Sequence, residues 1–343
     1  MKISIGYKFI KGPWGGGNSF GIQLKNYLEE KNIKVVNTLI DDDIDIVLMT
    51  EPRRYTKSSS FNHLDVKNYL KNVNDSALIV NRINECDERK NSKGLNSFLI
   101  NTSQISDHTV FISDWLKDLF FIQNFQNESY SVIKNGADKK IFKFNNKNNN
   151  RKLKIVTHHW SSDFNKGFEA YKKLDKILDS KIYEDRFEFI YIGNKPKNIS
   201  FKNTTFIDPV FGKKLSDILS SCDIYITGSI NEPAGMHHIE GAMCGLPVLY
   251  IDSGGIPEYC KNYGLNYEIE NLGDKLIELT KNYDLYQSRL TNYPFTGEEM
   301  CKNYLQLFKD LIVRKDTILK NRKNINKLKL QNQYKLFGKY FYF

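Results

Sequence analysis

The chain has 343 residues, of which 50 are Lys or Arg and 40 are Asp or Glu, so its formal net charge is +10. This length corresponds to about two domains with a sizeable core. Aromatic residues at 13% and hydrophobic residues at 40% exclude a disordered chain. No apolar run approaches the roughly 18 residues of a membrane span, and Lys8 and Lys11 interrupt any signal-peptide core.

The positive charge is concentrated at the C-terminus. Between Arg314 and Phe343 there are nine basic residues and one acid, Asp316, which places +8 in this tail and leaves +2 for residues 1–313. The five cysteines are odd in number and lack a Cys-x-x-Cys spacing. They therefore predict reduced thiols in a cytoplasmic protein, and neither a disulfide framework nor a structural zinc site.

The first half alternates short β-rich runs with helical patterns, which is typical of βαβ units and a parallel sheet. A helix is predicted from about Ser19 to Lys31, and another follows the N-cap residue Ser113. The predicted strands are residues 2–6, 33–37, 45–49, 76–80, 109–112 and 130–133.

A polar stretch without periodicity, residues 145–151, predicts an interdomain linker. After it the same rhythm restarts, with helices predicted over 168–178, 214–220, 236–244 and from about 273. The further predicted strands are residues 153–157, 187–192, 205–207, 224–227 and 247–251. The two halves predict two Rossmann-like α/β domains, over 1–144 and 152–297, that face one another. A crossing helix at 298–313 and a basic aromatic tail at 314–343 complete this division.

The segment 231–258 carries the densest functional pattern. A proline followed by Gly235 predicts a loop that enters a helix, so free backbone N–H groups should cluster near Met236. Such a helix terminus suits a phosphate or a diphosphate. Glu232 and Glu240 flank it at a spacing that allows one carboxylate on each side of the diphosphate, where each could accept hydrogen bonds from sugar hydroxyls.

This segment resembles the signature of the retaining glycosyltransferases of family 4, which have the two-domain fold called GT-B. Ala234 replaces the usual aromatic residue of that signature, and Gly241 replaces the usual alanine. The resemblance implies that Glu232 contacts the donor sugar and that Glu240 contacts the ribose. The matching positions are Glu232, Gly235, Glu240, Gly245, Pro247, Gly254, Gly255 and Glu258.

The family's phosphate loop is matched in part. Lys166 precedes a glycine as that loop requires, and a lysine suits a leaving phosphate. The usual arginine is absent, and His158, His159 or Trp160 stands near its place, so His159 is a candidate phosphate partner. Gly193 ends another strand as the family's base-side glycine does.

The first half supplies further candidates for the donor and candidates for the acceptor. Gly16 and Gly17 lie in a glycine-rich loop between a strand and a helix; the loop fails the dinucleotide fingerprint but matches the first loop of a GT-B protein. The resemblance implies that the backbone amides of this loop face the donor diphosphate. Polar residues after the fourth strand are candidates for holding the acceptor or shaping the cleft, the alternative being a solvated loop. Asn135 resembles the family's hinge entry. The acceptor candidates are Arg82, Asn84, Asp87 and Asn135.

The resemblance implies transfer of a sugar from a nucleoside diphosphate sugar, with retention at the anomeric carbon, no general base, no metal and no cofactor. A sugar-nucleotide epimerase, a phosphorylase-like enzyme and a catalytically impaired nucleotide-sugar or glycan-binding protein remain alternatives. For the tail, the alternatives are a solvated extension, attachment to an anionic membrane where lipid-linked acceptors lie, and a nucleic-acid contact.

Overall fold

A computed structural model describes residues 1–10, 12, 15–50, 53, 58–146, 152–336 and 339–342; for residues 333–343 no side chain is described. The chain forms two compact units. Unit 1 contains Met1–Ile10, Gly17–Lys134 and Glu298–Phe343, and unit 2 contains Lys11–Gly16 and Asn135–Gly297. The units divide after Lys134, before the predicted linker, of which residues 147–151 lie outside the described part.

Within the described residues, unit 1 contains a six-stranded parallel sheet in the order β2-β1-β3-β4-β5-β6. Its strands are β1 (Lys2–Ile5), β2 (Lys34–Val36), β3 (Ile46–Met49), β4 (Leu78–Ile83), β5 (His108–Phe111) and β6 (Tyr130–Val132). The helices of the first 134 residues are α1 (Gly16–Glu30), α2 (His63–Asn72), α3 (Asp87–Lys90), α4 (Leu95–Thr102) and α5 (Asp114–Ile122).

Unit 2 contains a second parallel sheet, also six-stranded within the described residues, in the order β12-β11-β10-β7-β8-β9. Its strands are β7 (Leu153–His159), β8 (Phe187–Gly193), β9 (Thr204–Ile207), β10 (Ile224–Thr227), β11 (Val248–Tyr250) and β12 (Gly264–Asn266). Its helices are α6 (Phe168–Ile177), α7 (Lys181–Glu184), α8 (Gly212–Ser220), α9 (Met236–Met243), α10 (Pro257–Cys260), α11 (Leu272–Lys281) and α12 (Tyr283–Leu290).

Each sheet reverses its strand order at one point, and in open α/β sheets ligands bind beyond the carboxyl ends of the strands at such a point. In unit 1 the reversal falls between β1 and β3, and in unit 2 it falls between β7 and β10. The predicted α/β class with parallel sheets is therefore confirmed.

The chain returns to unit 1 through α13 (Gly297–Val313). The apolar face of this helix packs in the unit 1 core beside Phe20 and Leu24 of α1. Tyr304 and Phe308 of α13 are fully buried there, and the Tyr304 ring centroid lies 5.1 Å from that of Phe20. The C-terminal helix thus completes the core of the first unit.

The basic segment that follows α13 is also packed on unit 1. It contains α14 (Lys315–Asn321) and ends in two antiparallel strands, β13 (Gln333–Leu336) and β14 (Lys339–Tyr342). Its partly buried apolar side chains pack against the unit 1 core and are Ile318, Leu319, Ile325, Leu328 and Leu330. The described part of the segment before β13 is therefore bound to the domain, although its charge suggested a solvated extension as one alternative.

One ion pair fixes this segment. The Arg322 guanidinium donates to both carboxylate oxygens of Asp107, at 2.8 and 2.5 Å, and to the carbonyls of Asp75 and Ala77 at 2.6 and 2.7 Å. Both side chains of the ion pair are at most 10% exposed. A buried bidentate pair of this kind fixes the position of the chain.

Two further observations concern the whole described chain. All five cysteines are buried, and none forms a disulfide. Among the residues that the structure describes, no helix is long and apolar enough to cross a membrane.

Candidate functional site

The reversal point of the second sheet gathers the charged residues that the sequence singled out in the second half. Lys166 follows β7, and Glu232 follows β10. The Lys166 Nζ atom donates to Glu232 Oε2 at 2.6 Å, and the two side chains are only 12% and 11% exposed. One cation and one carboxylate thus lie side by side beyond the strand ends.

Two glycines bring Lys166 to this place. Gly167 has φ +95°, and a Cβ there would lie 2.3 Å from the Gly228 carbonyl carbon. The Ile230 amide donates to the Asn165 carbonyl at 2.9 Å, so the loops after β7 and β10 are joined by their backbones. Only residues without a side chain allow this approach.

The backbone around Glu232 is held by the Gly-Gly pair of the motif. The Gly255 amide donates to the Glu232 carbonyl at 2.9 Å. Gly254 has φ +67°, and a Cβ there would lie 2.5 Å from the same carbonyl oxygen. Asn231 itself has φ 51°, and its amide donates to Ser253 Oγ at 2.9 Å. The second half of the motif therefore positions the first.

Helix α9 begins directly after this loop. Gly235 is its N-cap residue and has no side chain that could accept a cap hydrogen bond. The first-turn amides beginning at Met236 are thus available to an anion. Gly16 clusters with this unit, and a Cβ on it would lie 2.6 Å from Met236 Cγ.

Asn135 supports the loop before α9. Its side-chain amide donates to the Ala234 carbonyl at 3.0 Å, and its backbone amide donates to the Tyr259 hydroxyl at 3.0 Å. Gly136 packs so closely that a Cβ would lie 2.1 Å from the Thr296 carbonyl oxygen. The structure brings Asn135 to the Glu232 loop within unit 2, whereas the sequence assigned it to the acceptor side.

Glu240 lies in the second turn of α9 and is bonded to a histidine. His158 Nε2 lies 2.8 Å from Glu240 Oε2, and the two side chains are 11% and 13% exposed. The hydroxyl of Tyr225, on β10, lies 3.1 Å from His158 Nδ1 and accepts the His158 backbone N–H at 3.1 Å. These three residues form a chain of hydrogen bonds between β10, β7 and α9.

His159 points to a different set of partners. Its Nε2 atom is hydrogen-bonded to the Tyr171 hydroxyl, and it lies 3.2 Å from the Thr157 hydroxyl. Burial raises the pKa of the Tyr171 phenol, which therefore stays protonated. Gly193 packs against the same strand end, because a Cβ there would lie 1.9 Å from the His159 carbonyl oxygen.

Two further histidines lie in the first turn of α9. Burial is the main cause that lowers the pKa of both rings: that of His237 falls well below its ordinary value, and that of His238 falls to about 3. The His237 Nε2 atom lies 2.9 Å from the Thr227 hydroxyl. His238 is fully buried, and neither of its ring nitrogens has a hydrogen-bond partner among the described residues.

The candidates of unit 1 have other surroundings. Arg82 is 2% exposed, and its guanidinium carbon lies 3.9 Å from the Phe20 ring centroid. A Cβ on Gly17 would lie 2.5 Å from the Tyr7 hydroxyl. Asn84 is half-buried in the loop after β4. The structure places each of these residues within unit 1.

Asp87 has a local structural task. Its two oxygens accept from the Ser92 hydroxyl at 2.7 Å and from the amides of Gly94, Leu95 and Asn96 at 2.9 to 3.0 Å. The carboxylate therefore caps the start of α4, where negative charge is favourable.

Sequence reasoning missed Tyr225 and Tyr171, which hold the two histidines of β7. Both are buried tyrosines inside regular elements, and by spacing alone they are indistinguishable from core residues. One signal existed for Tyr225. The chain has Gly241 where the motif has alanine, and a Cβ there would lie 2.2 Å from the Tyr225 ring. The missing methyl group therefore indicates a bulky side chain packed against this position.

Two α/β units, each built on a six-stranded parallel sheet within the described residues, match the GT-B fold of solved glycosyltransferases. Anabaena HepE, solved in complex with UDP-glucose, has a TM-score of 0.66 at 14% identity, covering 91% of this chain and 100% of that chain. The sucrose-phosphate synthase of Thermosynechococcus elongatus has a TM-score of 0.64 at 13% identity, covering 91% of this chain and 98% of that chain.

The sequence comparisons point in the same direction. A model of the family described as Glycosyl transferases group 1 matches residues 198–293. The GPI3 subunit of phosphatidylinositol N-acetylglucosaminyltransferase from Saccharomyces cerevisiae is 28% identical over 152 residues, covering 41% of this chain. The chain spans about a third of the length of that relative, 33%. The matches support glycosyl transfer as the class of function.

Proposed function

We propose that this protein transfers a sugar from a nucleoside diphosphate sugar to an acceptor hydroxyl. The observation that carries this proposal is the Lys166–Glu232 pair at the reversal point of the second sheet, with Glu232 in the loop that precedes the start of α9. Nucleotide sugars present both chemistries that this arrangement can bind, an anionic diphosphate and a ring of hydroxyls.

Each group has a task in this reaction. The Glu232 carboxylate accepts hydrogen bonds from sugar hydroxyls and orients the anomeric carbon. Negative charge grows on the departing diphosphate, and the Lys166 ammonium and the first amides of α9 stabilise it. Because the Nζ atom and the carboxylate oxygen are 2.6 Å apart, one ligand can reach both groups. The family 4 reading of the Glu-x7-Glu motif belongs to this proposal, with Glu240 on the ribose.

We further propose that the reaction retains the anomeric configuration and needs neither metal nor organic cofactor. The departing phosphate takes the acceptor proton on the same face of the sugar, so no side chain is nominated as a general base. NMR of the first product should show the anomeric configuration of the donor. EDTA-treated enzyme should keep its rate, and an inverted product or a rate restored only by Mg²⁺ would contradict these two points.

The central experiment measures transfer from UDP-, GDP- and ADP-sugars by Lys166→Ala and Glu232→Ala variants. Loss of one transition-state contact should lower kcat by about 10²–10³. The matched controls are Lys202→Ala and Asp179→Ala, which break an exposed ion pair of the same unit with a distance of 2.7 Å. These controls should keep full activity.

Unchanged transfer by Lys166→Ala or Glu232→Ala would overturn the proposal. Nucleotide binding without sugar transfer by the wild-type chain would favour the impaired binding protein. Conversion of the free donor sugar into its epimer would favour the epimerase.

For the donor, UDP-sugars are the first choice, because Anabaena HepE was solved with UDP-glucose. For the acceptor, the phosphatidylinositol N-acetylglucosaminyltransferase activity in the name of the yeast relative supports a lipid-linked alcohol, with glycan biosynthesis as the setting. We propose that the protein acts in the cytoplasm and contacts a membrane surface peripherally.

The proposed membrane contact is electrostatic. The segment 314–331 turns its apolar side chains to unit 1 and leaves Lys320, Lys323, Lys327 and Lys329 exposed. Such a lysine surface suits anionic lipid headgroups, with about 1 kcal/mol for each lysine near the membrane. Charge reversal of these four lysines to Glu should abolish flotation with vesicles rich in phosphatidylserine.

The matched control reverses four exposed lysines of unit 2, namely Lys197, Lys202, Lys213 and Lys214. This control should float like the wild type. Equal flotation of both charge-reversal variants would contradict the contact, and retention on nucleic acid in place of vesicles would favour the nucleic-acid alternative.

A further inference from the structure

Tyr225, His158 and Glu240 form a chain of hydrogen bonds in unit 2. The Tyr225 hydroxyl accepts the backbone N–H of His158 at 3.1 Å and lies 3.1 Å from His158 Nδ1. At the other side of the ring, His158 Nε2 lies 2.8 Å from Glu240 Oε2. The chain therefore runs from β10 through the end of β7 to α9.

One arrangement of protons satisfies every hydrogen bond of this chain. Tyr225 is fully buried, and burial raises the pKa of its phenol well above the ordinary value, so the hydroxyl keeps its proton. The hydroxyl oxygen accepts the backbone N–H, which leaves its proton to be donated to His158 Nδ1. At the other side of the ring, carboxylate oxygens only accept, so the hydrogen bond to Glu240 takes its proton from His158 Nε2.

The consequence concerns the carboxylate. The His158 Nε2 atom, 2.8 Å away, fixes Glu240 Oε2, and the other carboxylate oxygen remains available as an acceptor. The inference rests on the proposed function, in which Glu240 contacts the ribose. We infer that Tyr225 and His158 are positioning residues that hold Glu240 for the ribose hydroxyls and so set the preference of the site for ribose over deoxyribose.

A separate observation supports the role of Tyr225. A Cβ on Gly241 would lie 2.2 Å from Tyr225 Cδ2 and 2.6 Å from its Cγ. The glycine at the position after Glu240 thus leaves room for the tyrosine ring. Two departures from the family signature, Gly241 and the histidine near the missing arginine, are parts of one arrangement.

The test compares the binding of UDP with that of 2′,3′-dideoxy-UDP, which lacks both ribose hydroxyls, by calorimetry on the full chain. The corresponding GDP and ADP pairs are measured in parallel. Wild-type protein should prefer the ribonucleotide by about tenfold or more, as expected for hydrogen bonds to a charged group. His158→Leu should reduce this ratio to near one.

Two variants separate positioning from packing. His158→Gln keeps an N–H donor at the Nε2 position and should retain most of the ratio. Tyr225→Phe keeps the ring, removes the donor to Nδ1, and should give an intermediate ratio. The matched control is Tyr267→Phe, which removes another buried hydroxyl of unit 2, one that donates to the Thr227 carbonyl at 3.1 Å. This control should leave the ratio unchanged.

The outcomes are distinguishable. A wild-type ratio in His158→Leu, or equal binding of both nucleotides by the wild type, would overturn the positioning role and leave the proposed function intact. Absence of nucleoside diphosphate binding by the wild type would overturn both. If His158→Leu does not fold, Tyr225→Phe and Glu240→Gln decide, and an unchanged ratio in both would contradict the inference.

Discussion

The polar loops after β4 in unit 1 and after β7 and β10 in unit 2 look alike in the sequence but differ in the structure. At the end of β4, Arg82 is buried against Phe20, and in the loop that follows, Asp87 accepts hydrogen bonds from the start of α4. At the reversal point of the second sheet, by contrast, Lys166 and Glu232 bond to each other beside an uncapped helix.

The difference teaches that polar residues after a strand do not make a site by themselves. β4 lies one strand away from the reversal point of its sheet, which falls between β1 and β3. Its polar side chains therefore serve the folding of the adjacent loop. β7 and β10 flank the reversal point, where the connections diverge and leave a crevice for a ligand.

The largest expected effect is on the free energy of unfolding when a glycine with positive φ is replaced by alanine. One such glycine is compared in each unit. In unit 2, Gly254→Ala should lower the free energy of unfolding by at least about 3 kcal/mol. The added Cβ would lie 2.5 Å from the Glu232 carbonyl oxygen, and a φ of +67° is itself unfavourable for a residue with a side chain. In unit 1, Gly94 has φ +98° with nothing within 4 Å, so Gly94→Ala should cost only about 1–2 kcal/mol. Urea unfolding measures both, and equal costs would contradict the crowding argument.

A second prediction tests the structural task of Asp87. Asp87→Ala should lower the free energy of unfolding by about 1–3 kcal/mol, since it removes the carboxylate that accepts from the first amides of α4. Asp87→Asn keeps one acceptor oxygen and should cost less. Asp118→Ala, at a side chain that is 65% exposed, is the control and should change stability by under about 0.5 kcal/mol. Nucleotide binding should stay unchanged throughout, and a weakened donor affinity would connect Asp87 to the site.

A third prediction restores the family's alanine in unit 2. Gly241→Ala should destabilise the protein by about 1–3 kcal/mol, because the added methyl overlaps the buried Tyr225 ring. In a Tyr225→Leu background the same change should cost clearly less. A double-mutant cycle by urea unfolding gives the coupling, and additive costs would show that the ring is not the obstacle.

The smallest effect at neutral pH concerns two buried histidines. Burial lowers the pKa of His238 to about 3, against an ordinary 6.5. The unfolded chain therefore binds more protons, and stability that is complete above pH 6.5 falls by about 1.4 kcal/mol per unit as the pH drops toward 3. His238→Leu should weaken this acid sensitivity and be nearly neutral at pH 7, since no hydrogen bond is lost.

His108 of unit 1 is the comparison for that variant. Burial also lowers its pKa, to about 4, but its ring is bonded to the hydroxyls of Ser129 and Ser131 at 2.8 and 3.0 Å. His108→Leu should therefore lose about 1–3 kcal/mol already at pH 7. Urea unfolding at pH 7, 6 and 5 measures both variants, and equal losses at pH 7 would contradict the distinction.

Much of the fold could be predicted from local patterns. Strand β10 was predicted over its exact residues, 224–227, and α9 was predicted within one residue of its end. Short or less periodic elements were missed, among them α2, α4 and β12. Helix α1 begins at Gly16, earlier than the predicted Ser19. The prediction missed its first residues because glycine has a low helix propensity and gives no sign of a helix start.

The site shows the same division. Glu232, Lys166 and Glu240 were found because the motif joins a loop, a helix start and acids within a short stretch. The partners of these residues could not be found in this way, since His158 is 82 residues from Glu240 and 67 from Tyr225. Nothing local marks a buried tyrosine as the partner of a distant histidine.

The sequence by itself determined the alternation of strands and helices, the division of charge between body and tail, and the loop that carries Glu232. These follow from local periodicity, backbone preferences and composition. Only the tertiary structure decided which distant polar groups meet: His158 on Glu240, and Arg322 of the basic tail on Asp107. The physical reason is that burial and pairing depend on the order of strands in the sheet, which brings together residues far apart along the chain.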